Sequence, residues 1–130
     1  MPPTTPPLHG LTILIVDDHR DTVDMLRELL SAYGANVLGA SAAKTALALS
    51  ETHVLDAALI DLRMPGEDGW WFLRQLRASA TASANAPVFA VSGERHDQPD
   101  PASGFAGHFV KPVDFDVLVA TLATLRRRSA

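Results

Sequence analysis

The sequence predicts an α/β domain, a parallel sheet covered by helices on both faces. Short apolar runs alternate along the chain with stretches whose apolar residues recur at helical spacing. The runs are continuously apolar, as strands buried on both faces are, and lack the alternation of a half-exposed sheet. Four of them stop abruptly at polar residues: Asp17-Asp18, Asp61, Ser92 and Lys111.

Taken in order, residues 1–10 hold four prolines and are expected to form an extended, flexible lead-in. The domain proper is expected over 11–127, with a short tail at 128–130. Leu11 to Val16 reads as the first strand. Val23, Leu26, Leu30 and Tyr33 then share one face of a helix, and Gly34 is placed to end it in the left-handed conformation. A second run covers Asn36 to Gly39, and Ser41 is a candidate N-cap for a helix carrying Ala43, Ala46, Leu47 and Leu49. Ala57 to Ile60 leads into Asp61, and Met64-Pro65-Gly66 forms a turn before a helix with Trp70, Phe72, Leu73 and Leu76. Residues 78–86 are small and polar and read as a loop. Val88 to Val91 ends at Ser92, and Phe109-Val110 ends at Lys111. From about Asp114 a last helix carries Val117, Leu118, Thr121, Leu122 and Leu125.

Composition narrows the function. At 130 residues the chain suits one domain, and with no cysteine it holds neither disulfide nor thiolate metal site. A formal net charge of −4 gives no general attraction to nucleic acid. Arg126 to Arg128 read as a cationic helix end complementing the macrodipole. The first apolar run is far too short to span a bilayer, so a cytoplasmic protein with no membrane contact is expected.

Right-handed crossovers put the carboxyl ends of all parallel strands on one edge, where open α/β sheets carry their sites. Asp17, Asp18, Asp61, Ser92 and Lys111 are therefore expected to converge. Two like charges about 4 Å apart repel by roughly 4 kcal/mol at an effective dielectric near 20, so three carboxylates with one Lys call for a cation. Every donor at the strand ends is a hard oxygen, which favours Mg2+, with Mn2+ as the alternative, over Zn2+. His9, His19, His53 and His96 are scattered and show no metal-ligand spacing. Helix capping would account for Asp17 or Asp18 taken singly, but it explains neither Asp61 nor Lys111.

The segments LTILIVDD, LIDLRMPGEDGWWFLRQLR, VFAVSG and FVKPV, in this order and spacing, resemble the receiver domains of two-component response regulators over residues 11–126. The resemblance implies a doubly wound, flavodoxin-like five-stranded sheet in the order 2-1-3-4-5. It implies that Asp61 is the phosphoacceptor and that Asp17 and Asp18 hold Mg2+ with it, joined by the backbone carbonyl of Arg63. Ser92 and Lys111 would bind the phosphoryl group, and the Lys111–Pro112 bond would be cis. Ser92 and His108, which stands where the family often has Tyr or Phe, would form the switch. The implied donor is a phosphohistidine on a histidine kinase or histidine phosphotransfer protein. Output would pass through the fourth-strand and fifth-strand face to a downstream protein still unknown, from a monomer or weak homodimer.

The chain departs from the family pattern between Ser92 and Lys111. Pro99 and Pro101 forbid a continuous helix there, so a short or degenerate fourth helix is expected. Trp71 falls on the expected solvent side of its helix, as either a surface aromatic or a partner contact. Arg63 and Glu94 are placed to pair across the site's mouth and slow hydrolysis. Two other classes compete. A phosphohydrolase with an aspartyl nucleophile would usually carry a second acid two residues later, where this chain has Arg63, so a turnover enzyme is not expected. The other is a phosphorylation-independent adaptor of receiver fold.

Overall fold

In the computed structural model, which describes residues 5–93 and 98–129, strands and helices alternate as the apolar pattern predicts. The strands are β1 (Thr12–Val16), β2 (Asn36–Ala40), β3 (Ala57–Asp61), β4 (Val88–Ser92) and β5 (Gly107–Val110). The α-helices are α1 (Arg20–Ala32), α2 (Ala43–Thr52), α3 (Gly69–Ala78) and α4 (Phe115–Ser129). The sheet is parallel throughout, in the order β2-β1-β3-β4-β5.

Strand periodicity divides the core in two. Leu14, Val16, Ala58, Ile60, Val88 and Ala90 face α2 and α3, meeting Ala43, Ala46, Phe72 and Leu76. Ile13, Ile15, Ala57, Leu59, Phe89 and Val91 face α1 and α4, meeting Val23, Leu26, Leu30, Leu118 and Leu122. Because both faces are covered, β3 and β4 are buried at every residue.

Local chemistry sets the helix ends. Gly34, at φ 100°, follows α1, and the bonds Gly34 N–H to Ser31 O and Ala35 N–H to Leu30 O close a Schellman motif. Asp68 caps α3 by accepting from the Trp71 N–H, and Asp114 Oδ1 accepts from the N–H groups of Asp116 and Val117. Ser41 does not cap α2. The N-cap is Ala42, with no side-chain bond, because the helix begins one residue later than Ser41 needs. Val117, expected on the apolar face of the last helix, points outward and is 51% exposed. That helix also runs to Ser129, into the predicted tail.

The lead-in is not loose from Pro6 onward. Leu8 is fully buried, its N–H donates to Tyr33 O, and the Arg126 guanidinium donates to Pro6 O. Gly34 permits this packing: a Cβ there would come within 2.8 Å of Pro6 Cβ. Leu8→Ala is therefore expected to cost about 2–4 kcal/mol of stability by the usual cavity penalty. Urea unfolding measures it, and an unchanged midpoint would return the segment to a flexible role.

Among the described residues, the β4–β5 crossover carries one 3-10 turn, Pro101–Ser103, with Asp100 accepting from the Ala102 N–H. Phe105 is buried just after it and meets Trp70 edge-on, ring centroids 4.9 Å apart. Both rings pack with the core on the α2–α3 face of the sheet. Trp71 is half-buried on the helix surface, packed against the α2–α3 core.

Candidate functional site

Asp17 follows β1, Asp61 ends β3, Ser92 ends β4 and Lys111 follows β5, all at the carboxyl edge of the sheet. The Lys111 N–H donates to Ser92 O at 2.7 Å, and the Lys111–Pro112 bond is cis. From that position Lys111 Nζ lies 2.9 Å from Asp17 Oδ2 and 2.9 Å from Asp61 Oδ2. Asp61 Oδ1 accepts the Arg63 N–H at 3.0 Å. Gly69 lets the start of α3 close on this strand end, since a Cβ would sit 2.9 Å from Asp61 O.

Both bridged carboxylates are buried, at 3% exposure for Asp17 and 6% for Asp61. Burial alone pushes the Asp17 pKa up, but the His19 N–H and the Lys111 ammonium outweigh it and hold the carboxyl below its ordinary 3.8. Burial likewise pushes Lys111 down, and its bonds to Asp17 and Asp61 outweigh that, leaving the ammonium above its ordinary 10.5.

One Lys does not satisfy the whole cluster. Asp18 Oδ1 is shielded from solvent and accepts no hydrogen bond. An orphaned anionic oxygen beside two buried carboxylates fits a divalent cation well. The sequence reading missed one member of this cluster. His19, the N-cap of α1, places Nδ1 3.1 Å from Asp17 Oδ1 and 3.4 Å from Asp18 Oδ1. It is therefore not one of the scattered histidines. The available signal was the contiguous Asp-Asp-His just before a helix, where an N-cap side chain turns back on the strand end.

Ser92 is buried, and its hydroxyl lies 2.7 Å from His108 Nε2 on β5. The expected switch pair is thus in direct contact. Arg63 is exposed at the site's edge; its expected partner Glu94 lies outside the described residues. Beside the acids an apolar cleft of ≈ 300 Å³ opens between α1 and the start of α4, lined by Thr22, Met25, Leu26, Val113 and Phe115. Among the described residues, no helix is long and apolar enough to cross a membrane.

A 2-1-3-4-5 parallel sheet with acids and a lysine joined at its carboxyl edge defines the receiver class of signalling domain. The chain belongs to the response regulator receiver domain family, whose model matches residues 13–123. It is 30% identical to the virulence sensor protein BvgS of Bordetella bronchiseptica over 95% of its own length but only 11% of that protein. The chain thus spans about a tenth of that relative. It is 38% identical to an uncharacterized 14.6 kDa protein of Leptolyngbya boryana, covering 82% of this chain and 83% of that one. The solved CheY-like receiver domain from Methylobacillus flagellatus superposes with a TM-score of 0.81 at 28% identity, covering 88% of this chain and 98% of the other.

Proposed function

We propose that this receiver domain takes a phosphoryl group onto Asp61 from a phosphohistidine, in a reaction that depends on Mg2+, with Mn2+ as the alternative ion. The observation that carries this reading is the Lys111 ammonium bridging two buried carboxylates at 2.9 Å, next to an Asp18 oxygen that accepts no hydrogen bond. Asp17, Asp18, Asp61 and the Arg63 carbonyl would hold the cation. When bound it supplies positive charge against the phosphoryl oxygens.

The chain's own residues do the rest. An Asp61 carboxylate oxygen attacks phosphorus in line. The P–N bond to the donor imidazole breaks, the imidazole leaves with its electron pair and takes up a proton, and an aspartyl phosphate remains. Lys111 is already within reach of Asp61 and neutralises charge spreading onto the phosphoryl group. The Asp61 carboxylate is consumed as acceptor, so the domain is a phosphoryl carrier and not a turnover enzyme; water later returns it to the starting state. The donor would be a histidine kinase or histidine phosphotransfer protein. The apolar cleft beside Asp61, with Met25 and Phe115 at its edge, supports docking by a protein over a free small phosphate.

Ser92 would have to leave His108 to reach the phosphoryl oxygens, which repacks β4 against β5 and makes that face the output. His108→Phe is expected to tighten binding of the phosphoryl mimic beryllium fluoride about two- to tenfold, the equivalent of one neutral hydrogen bond. Fluorescence of the tryptophans on α3 can follow the titration, and unchanged affinity would remove His108 from the switch.

The function itself is tested by incubating the chain with acetyl phosphate, with and without chelator, and mapping the acid-labile adduct by mass spectrometry. The expected adduct lies on Asp61 and needs the divalent ion. An adduct on another residue, or equal labelling with chelator, rejects the reading.

A further inference from the structure

We infer that His19 is a metal-specificity residue: its imidazole raises the affinity of the acid cluster for first-row transition ions such as Co2+ and Zn2+ relative to Mg2+. The inference rests on the cation site proposed above and adds a nitrogen donor to what would otherwise be an all-oxygen set.

The geometry comes first. Asp17, Asp18, His19 and Asp61 each offer a ligand atom, and these atoms all lie within 4.8 Å of one another. Two donors on one ion with bonds near 2.1 Å stand about 3.0 Å apart at a right angle and about 3.4 Å apart at the tetrahedral angle. His19 Nδ1 lies 3.1 Å from Asp17 Oδ1 and 3.4 Å from Asp18 Oδ1. The imidazole therefore already stands at ligand spacing from two carboxylates.

The partition of the oxygens comes next. Lys111 takes Asp17 Oδ2 and Asp61 Oδ2, while Asp17 Oδ1 and the orphaned Asp18 Oδ1 are the atoms near His19. The cation-hungry side of the cluster is thus the His19 side. His19 is pinned at its backbone, whose N–H donates to Asp17 Oδ1 at 2.9 Å. Its side chain is 69% exposed, so ion entry needs no rearrangement of the core.

The chemistry separates the ions. Mg2+ prefers oxygen and keeps its waters, so an imidazole adds little to its binding. Co2+ and Zn2+ accept imidazole readily and follow the usual order of affinities for nitrogen-containing sites. Hydrogen bonding of His19 to Asp17 alone would leave ion selectivity at the all-oxygen value.

The test uses the full chain and its His19→Phe, His19→Asn and Asp18→Asn variants, titrated calorimetrically with Mg2+, Co2+ and Zn2+. Visible absorption of bound Co2+ and the His19 ring signals give independent readouts. His19→Asn keeps a good N-cap, so a loss shared with His19→Phe reports a lost ligand rather than a damaged helix. Co2+ and Zn2+ affinity is expected to fall about 10- to 100-fold in both His19 variants. Mg2+ affinity should stay within about twofold. In the wild type, Co2+ should perturb the His19 ring signals strongly.

Equal losses for all three ions, or no loss of Co2+ and Zn2+ affinity, overturn the inference. Full Zn2+ affinity in Asp18→Asn also overturns it, because the ion is then elsewhere. If the wild type binds Mg2+ and any of these occurs in the variants, only the His19 inference falls. If no divalent ion binds the wild type, the cation reading of the site falls with it.

Discussion

Asp61→Asn is expected to abolish phosphoryl labelling by acetyl phosphate. The amide carries no anionic oxygen to attack phosphorus, and the reason extends to its setting. Asp61 Oδ1 accepts from the Arg63 N–H and Oδ2 accepts from Lys111 Nζ. An amide in either orientation therefore turns its NH2 group against another donor and loses one of the two bonds. The variant should stay folded, since the apolar clusters around it are untouched, and circular dichroism checks this. Labelling at the wild-type rate would move the acceptor elsewhere. A wild type that is never labelled, with partner binding indifferent to phosphodonor, would favour the adaptor reading.

Lys111→Met is expected to slow labelling of Asp61 by about 10²–10³-fold, the usual cost of removing one preorganised charge that faces the transition state. It also strips the shared cation from two buried carboxylates. A stability loss of about 1–3 kcal/mol is expected, less than for a fully buried pair because the Lys111 side chain is 28% exposed.

Its pH signature has a defined sign. The folded Lys111 titrates above its ordinary 10.5, so its contribution to stability is fully present below that value and fades as pH rises through the folded value. Asp17 titrates below 3.8 when folded, so its contribution is present above 3.8 and fades as pH falls through the folded value. Lys111→Met should flatten the alkaline limb and shrink the acid one. Chemical denaturation across the pH range measures both; limbs unchanged from wild type would mean that Lys111 does not bind these acids in solution.

Much of this arrangement is legible along the chain. Continuous apolar runs such as Ala57 to Ile60 reveal buried parallel strands, and the residue type that ends each run shows what reaches the common edge. The prolines at 99 and 101 fit the short 3-10 turn Pro101–Ser103 that forms there. Other features carry no local pattern. Leu8 stands alone among prolines and polar residues, yet it is buried because Gly34 leaves room for the segment to fold over the end of α1. For His19 the one local mark is the contiguous Asp-Asp-His, which does not by itself say where the ring points. Its place among the acids follows from its N-cap position, where the backbone turns its ring back toward Asp17.

The sequence by itself determined the strand order along the chain, the helix-bearing segments and the kinds of groups that line the sheet edge. These depend on neighbours a few residues apart, through the periods of strand and helix. Only the tertiary structure decided that one Lys111 ammonium serves Asp17, 94 residues away, and Asp61, 50 residues away, while the Ser92 hydroxyl meets His108. Such pairings depend on how strands lie side by side, and the geometry that joins distant residues exists only once the sheet has closed around its core.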